Sequence, residues 1–176
     1  MSKPKEPVAL LVDFATGRTV PNVGSEENRQ AIERFLVEQK GFAREELEVG
    51  PEIALELPGG EYRSRLDLVV RVDGAAVMVI TCAAGALGSW ERQTLAAARL
   101  CERVQIPIAI VSDGRTATVL DTLSGARLGD TLAAVPSKAD ARRILQSAGR
   151  HPFPAERRER EGLIFRTYDS ARINRV

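Results

Sequence analysis

One histidine and two cysteines in 176 residues leave little room for several kinds of chemistry. A structural zinc ion takes four ligands, mostly Cys and His, and Cys82, Cys101 and His151 are too few. Two cysteines in apolar surroundings do not make a disulfide framework, so they read as buried, reduced thiols of a cytoplasmic protein. His151 stands between Arg150 and Pro152 with no partner nearby in the sequence, so neither Ser-His-Asp nor Cys-His catalysis has support. No glycine-rich phosphate loop of either common type is present. Aromatic residues are only 5% of the chain, and Trp90 is its single tryptophan, read as packing rather than as a base-stacking platform.

Long apolar runs are also missing. The uncharged stretch from Gly74 to Gly88 falls short of the ~20 residues of a membrane helix, and its Gly and Ala content suits a core strand and a loop. The apolar opening between Met1 and Phe14 is broken by Asp13 and shows no cleavage site, so no targeting segment is expected. Charge of one sign is absent overall: 25 Lys and Arg stand against 24 Asp and Glu, which gives no argument for nucleic acid. The distribution differs from the total. Glu26 to Glu61 holds ten acids and four bases, whereas Arg142 to Val176 holds nine Arg and four acids. Such a basic tail could meet phosphates. The plainer reading is preferred: a solvated helix whose Glu and Arg pair with one another.

What is present is a globular balance, 44% apolar and 28% charged, in a chain long enough for one core. Val8 to Asp13, followed by Thr16-Gly17, reads as a small hairpin or arm. Ser25 can cap a helix over about 26–40, with Glu26 and Glu27 in its first turn and Gly41 at its end. Glu48 to Leu57 alternates as a half-buried strand, Pro58-Gly59-Gly60 turns, and Arg65 to Val72 forms a second strand with Asp67 opposite its apolar face. Asp73-Gly74 is a hairpin signal leading to Ala76 to Cys82, apolar throughout and so buried on both faces. A helix capped by Ser89 follows, from Trp90 to about Val104. Then come strands over Ile106 to Val111 and Thr116 to Leu120, and helices over Ser137 to Ala148 and about Ala155 to Ile173. Three meandering strands, a helix, two more strands and terminal helices imply an α/β sandwich with a mixed sheet.

That order, with an acid at the head of an apolar strand, resembles the PD-(D/E)XK restriction-endonuclease-like core. More narrowly, it is similar to the N-terminal domain of type I restriction enzyme R subunits. The residues that carry the likeness are Glu26-Glu27-Asn28-Arg29-Gln30, Gly41-Phe42, Arg65-Leu66-Asp67-Leu68-Val69-Val70, the strand Val77 to Ile80, Gln93, and Ile110-Val111-Ser112-Asp113-Gly114. They span about residues 25–125, within an expected domain at 1–148 and a helical extension at 149–176.

The resemblance implies phosphodiester hydrolysis with Mg²⁺, which prefers hard oxygen ligands. It places the first carboxylate at Asp67 and the helix Glu at Glu27, with Glu26 as the register alternative, and these two acids would be the metal ligands. The second carboxylate should stand at Thr81 and the water-positioning Lys at Ala83, two residues on and therefore on the same strand face. Both are gone, since the stretch reads Ile80-Thr81-Cys82-Ala83. Gln93 matches the family's helix Gln, while Ala97 replaces the aromatic expected after it. Glu91 and Glu61 are the candidates for relocated groups. Each residue also has a plain reading: Asp67 paired with Arg65 or Arg29, Glu27 serving the helix dipole, and Gln93 bonded at a helix–sheet contact. The functions left open are a catalytically degenerate module that binds DNA or a protein partner, an Mg-dependent nuclease with relocated groups, and a protein-interaction or self-association domain.

Overall fold

The computed structural model describes residues 8–173, so the first seven residues of the expected leader-free opening and residues 174–176 of the extension lie outside it. A hairpin of β1 (Leu10–Val12) and β2 (Thr19–Pro21) precedes α1 (Glu26–Lys40). The central sheet holds β3 (Leu47–Val49), β6 (Leu68–Val72), β7 (Ala75–Cys82), β8 (Ile108–Ser112), β9 (Ala117–Asp121) and β10 (Arg127–Gly129), in the order β10-β9-β8-β7-β6-β3. β4 (Glu52–Leu57) and β5 (Gly60–Arg65) form a separate antiparallel ribbon. α2 (Glu91–Leu100) crosses over between β7 and β8, which pair in parallel, while every other neighbouring pair is antiparallel. α3 (Lys138–Ser147) and α4 (Ala155–Ile173) follow. This is the expected restriction-endonuclease-like sandwich, with a mixed central sheet flanked by helices and a helical C-terminal part.

Two apolar clusters fill the spaces on either side of the sheet. On one face Ile32 and Leu36 of α1 and Ala141 of α3 pack against Leu68, Val70, Met78, Ile80 and Ile110. On the other, Leu95 to Leu100 of α2 and Phe165 of α4 cover Val69, Val79 and Ala109, together with Ile53 and Leu55 of the ribbon. β7 is buried along both faces after its first residue, as its continuous apolar run requires. The Asp73-Gly74 turn has positive φ at both residues, 52° and 81°, the signature of a two-residue hairpin turn.

Several boundaries differ from the sequence reading. The expected strands 48–57 and 65–72 are each broken, between Val49 and Glu52 and between Arg65 and Leu68. The cause is Gly50-Pro51: Gly50 turns at φ 65°, and Pro51 has no N–H to give a ladder. The chain stays stitched there by Gly50 N–H to the Asp67 carbonyl and Leu66 N–H to the Pro51 carbonyl. The meander is therefore a bent ribbon, and Leu66 joins the second cluster, away from Leu68. The second helix stops at Leu100 rather than Val104, and the chain turns through residues 101–107 into β8. Its N-cap position is Trp90 rather than Ser89, after a short 3₁₀ turn over Leu87–Trp90.

The C-terminal basic region also departs from the preferred reading. Among the described residues of α4, Arg157, Arg158, Arg160 and Arg166 make no ion pair, and Glu161 turns inward to Arg99 at 2.8 Å. Burial of Phe165 and Glu161 against α2 sets this rotation, and it separates Glu161 from the arginines near it in sequence.

Candidate functional site

The head of β6 and the end of β7 bring three of the singled-out positions together. Leu68 pairs with Ile80 across these strands, so one residue further along Asp67 stands across from Thr81. Ala83 follows two residues after Thr81. Asp67 is half-buried, and its Oδ2 accepts the backbone N–H of Cys82 at 2.7 Å. The carboxylate thus ties the start of one strand to the end of its neighbour.

Thr81 is buried against α2. Thr94 Oγ1 lies 2.7 Å from Thr81 Oγ1 and 2.8 Å from the Trp90 carbonyl oxygen. A hydroxyl has one proton to give. If Thr94 donates to the Trp90 carbonyl, as a residue four positions on in a helix can, Thr81 must donate to Thr94. The Thr81 hydroxyl is then spent on a helix–sheet contact. Ala83 is 1% exposed, and its backbone is bonded on both sides: its N–H goes to the Ser112 carbonyl at 2.8 Å, and its carbonyl accepts Asn28 Nδ2 at 2.6 Å.

Asn28 is the side chain of α1 that reaches this strand end; it belongs to the segment that carries the likeness, but the resemblance gives it no site role. Glu27, one residue earlier, is exposed and accepts Asn22 Nδ2 at 2.7 Å. Glu26, the register alternative, faces Arg29 and Gln30. A one-residue step is a 100° turn of the helix, and no periodicity in this stretch distinguishes Asn28 from Glu27. The sequence reading passed over Thr94, because its role depends on which helix turn meets Thr81.

Gln93 points elsewhere. It is buried between α2 and α4, with Nε2 3.1 Å from Asp169 Oδ1, and Asp169 Oδ2 accepts the Tyr62 hydroxyl at 2.7 Å. Burial and the bond to Asp169 push the Tyr62 hydroxyl above its ordinary pKa. Glu91 is held by Arg127 at 2.5 Å, and Glu61 by Arg63 at 2.5 Å on the exposed ribbon. His151 lines an apolar cavity of about 330 Å³ with Pro107, Ile108 and Leu128. Among the described residues, no three His, Cys, Asp or Glu side chains converge to hold a metal ion.

The turn between β8 and β9 closes the site against α1. Asp113 Oδ1 accepts the N–H groups of Arg115 and Thr116. Partial burial raises the Asp113 pKa, but these backbone bonds outweigh it and hold the carboxyl below its usual range. Gly114 has φ 83°, and a Cβ there would stand 2.8 Å from the Ala31 Cβ, so glycine is required on both counts.

A second polar cluster sits at the other side of α1. Arg29 is bonded to Asp13 at 2.6 Å and also to Glu26 and Glu33, and Asp13, Glu33 and Arg29 are all buried. Arg29 is therefore engaged here, while Arg65 donates to the Gly50 carbonyl at 3.0 Å. Burial pushes Glu33 up to about 7, with Arg29 opposing the rise and Asp13 adding to it. Burial also raises Asp13, yet hydrogen bonds from Thr16 and Arg29 leave it lowered. Neither Cys82 nor Cys101 is in a disulfide: Cys82 is buried, and burial pushes Cys101 up to about 12, which makes it inert. No helix among the described residues is long and apolar enough to cross a membrane.

No curated protein and no solved structure matches the chain. The family model described as Type I restriction enzyme R protein N terminus matches residues 24–136, which run from the start of α1 past β10 and include Asp67, Thr81, Ala83 and the Asp113-Gly114 turn. That match covers well over half of the chain, and the chain belongs to the family of type I restriction enzyme R protein N-terminal domains.

Proposed function

We propose that this domain is a PD-(D/E)XK-like module that has lost cleavage and retains binding, with DNA as the first ligand to test. The observation that carries the reading is the state of the Asp67–Thr81–Ala83 set. An active site of this kind needs hard anionic oxygens around Mg²⁺ and a cation near the attacking water. Here one carboxylate is present and accepts a backbone N–H, a hydroxyl is bonded to a helix, and a buried methyl stands where the ammonium should be. These residues do not fit a divalent ion. The relocated candidates, Glu91 and Glu61, are each paired with an arginine, which gives the nuclease alternative no support. Arg157, Arg158, Arg160 and Arg166 of α4, which make no ion pair among the described residues, favour an anionic partner over a purely protein one.

The test joins cleavage to binding. Single- and double-stranded DNA are incubated with the protein and Mg²⁺ or Mn²⁺, and binding is followed by fluorescence anisotropy across a salt series. The reading predicts intact DNA and an affinity that falls as salt rises. Cleavage that is lost in Asp67→Ala would overturn the loss of catalysis. Absent or salt-independent DNA binding would overturn the DNA assignment and leave a protein partner.

A further inference from the structure

The β1–β2 hairpin lies outside the matched family region and leaves one edge open. Its ladder joins Asn22 N–H to the Ala9 carbonyl and Asp13 N–H to the Arg18 carbonyl, with Leu11 facing Val20 between them. Residues 9, 11 and 13 therefore turn their backbone groups toward β2, and residues 8, 10 and 12 turn theirs outward. Among the described residues nothing bonds the outward N–H and C=O groups of Val8, Leu10 and Val12. The side chains of the same residues are 54%, 68% and 63% exposed.

An open edge is normally blunted by a charge, a proline or a bulge. Val8-Ala9-Leu10-Leu11-Val12 has none of these. Beside the edge runs a groove lined by Leu11 and Val12 of β1 and by Glu27, Ala31 and Arg34 of α1. The two charged residues lining it, Glu27 and Arg34, are of opposite sign.

The segment also complements itself. We infer that β1 is the interface of a two-fold dimer, in which the Leu10 residues of two copies face each other across antiparallel strands. In that register Val8 faces Val12 of the second copy and Ala9 faces Leu11, so every cross-strand pair is apolar. Each outward pair exchanges two backbone bonds, and the three exposed side chains gain cross-strand neighbours on one face. A one-residue slip would put outward groups opposite inward ones, so the pattern excludes odd shifts of this register. An isologous contact of this kind closes at two copies. The inference does not depend on the nuclease-like reading of the Asp67 site.

The test is the mass of the full chain in solution, by light scattering and sedimentation over a wide range of protein concentration. Wild type should sediment at twice the chain mass. Leu10→Lys sets two ammonium groups face to face at the two-fold axis and should give monomer, as should Leu10→Glu. An equal mixture of the two variants should recover the doubled mass, because the facing charges are then opposite. Val12→Pro removes one outward N–H without touching a bond to β2, and it should weaken the dimer at least tenfold. Circular dichroism confirms that each variant is folded, which the exposure of Leu10 and Val12 predicts. A monomeric wild type overturns the inference and leaves the edge to a strand of another protein. A dimer that survives Leu10→Lys overturns it too, by placing the contact elsewhere.

Discussion

Replacing Arg29 with methionine should be among the most damaging single changes in this domain. The guanidinium is bonded to Asp13, Glu26 and Glu33, and Asp13 and Glu33 are essentially inaccessible to water. Around this cluster the turn after β1 is fastened to α1: Phe14 N–H donates to Gln30 Oε1 at 2.6 Å and Ala15 N–H to Glu33 Oε2 at 3.2 Å. Methionine fills a similar volume but leaves the buried carboxylates with no cation. Breaking a buried pair by removing one partner costs about 3–5 kcal/mol, because the remaining charge is uncompensated. Domains of this size are stable by about 5–15 kcal/mol, so the loss is a large share of the whole. Urea unfolding followed by circular dichroism measures it. The triple variant Asp13→Asn, Arg29→Met, Glu33→Gln removes the stranded charges and should recover much of the loss. A cost below about 1 kcal/mol for Arg29→Met would refute the argument by showing that water reaches the cluster, since exposed pairs are worth that little. A triple variant no more stable than the single one would refute it by another route.

Four further outcomes follow from the same geometry. The Glu33 carboxyl is raised from its ordinary 4.5 to about 7, so its contribution is fully present below the unfolded value and is lost as pH rises through 7. At about 1.4 kcal/mol per pH unit the total is roughly 3 kcal/mol, and Glu33→Gln should flatten the fall in stability between pH 5 and 8 seen by urea titration at each pH. Asp67→Ala should cost about 1–3 kcal/mol by removing the carboxylate that accepts the Cys82 N–H, while Asp67→Asn, which keeps an acceptor, should cost less; equal losses would mean that the Cys82 bond is not what matters. Gly114→Ala combines positive φ with a contact to Ala31 and should lose about 1–3 kcal/mol by thermal unfolding, with an unchanged midpoint contradicting the close approach. Phe165→Ala should lose about 3–5 kcal/mol because α4 buries that ring in the second core cluster, and a smaller loss would mean that α4 is only loosely attached.

The elements with strong local signals were legible before the structure. β7 reads as a buried strand because its side chains from Ala75 to Ile80 are all apolar, and the Asp73-Gly74 turn because few residues tolerate positive φ. The resemblance named Asp67, Thr81 and Ala83 together, but the hairpin turn alone would set Asp67 across from Ile80, and it is the register shift between Val70 and Arg71 that brings Asp67 across from Thr81. What the sequence concealed depends on rotation and on distant partners. Asn28 rather than Glu27 reaches β7 because α1 is turned by the burial of Ile32 and Leu36, and that rotation is known only once the sheet is in place. Gln93 meets Asp169 because α4 returns to cover α2, a contact 76 residues away along the chain. The bend at Gly50-Pro51 carried its own signal, but the alternation of Val49, Ile53, Leu55 and Leu57 continued across it and masked the break.

The central claim is that the Asp67, Thr81 and Ala83 set no longer supports phosphodiester hydrolysis. Incubating the full chain with supercoiled and single-stranded DNA in Mg²⁺ or Mn²⁺, beside Asp67→Ala, tests it most directly. The account predicts that both proteins leave the DNA intact at every metal concentration. Metal-dependent nicking by the wild type that disappears in Asp67→Ala would contradict it and make this chain a working nuclease with a rebuilt site.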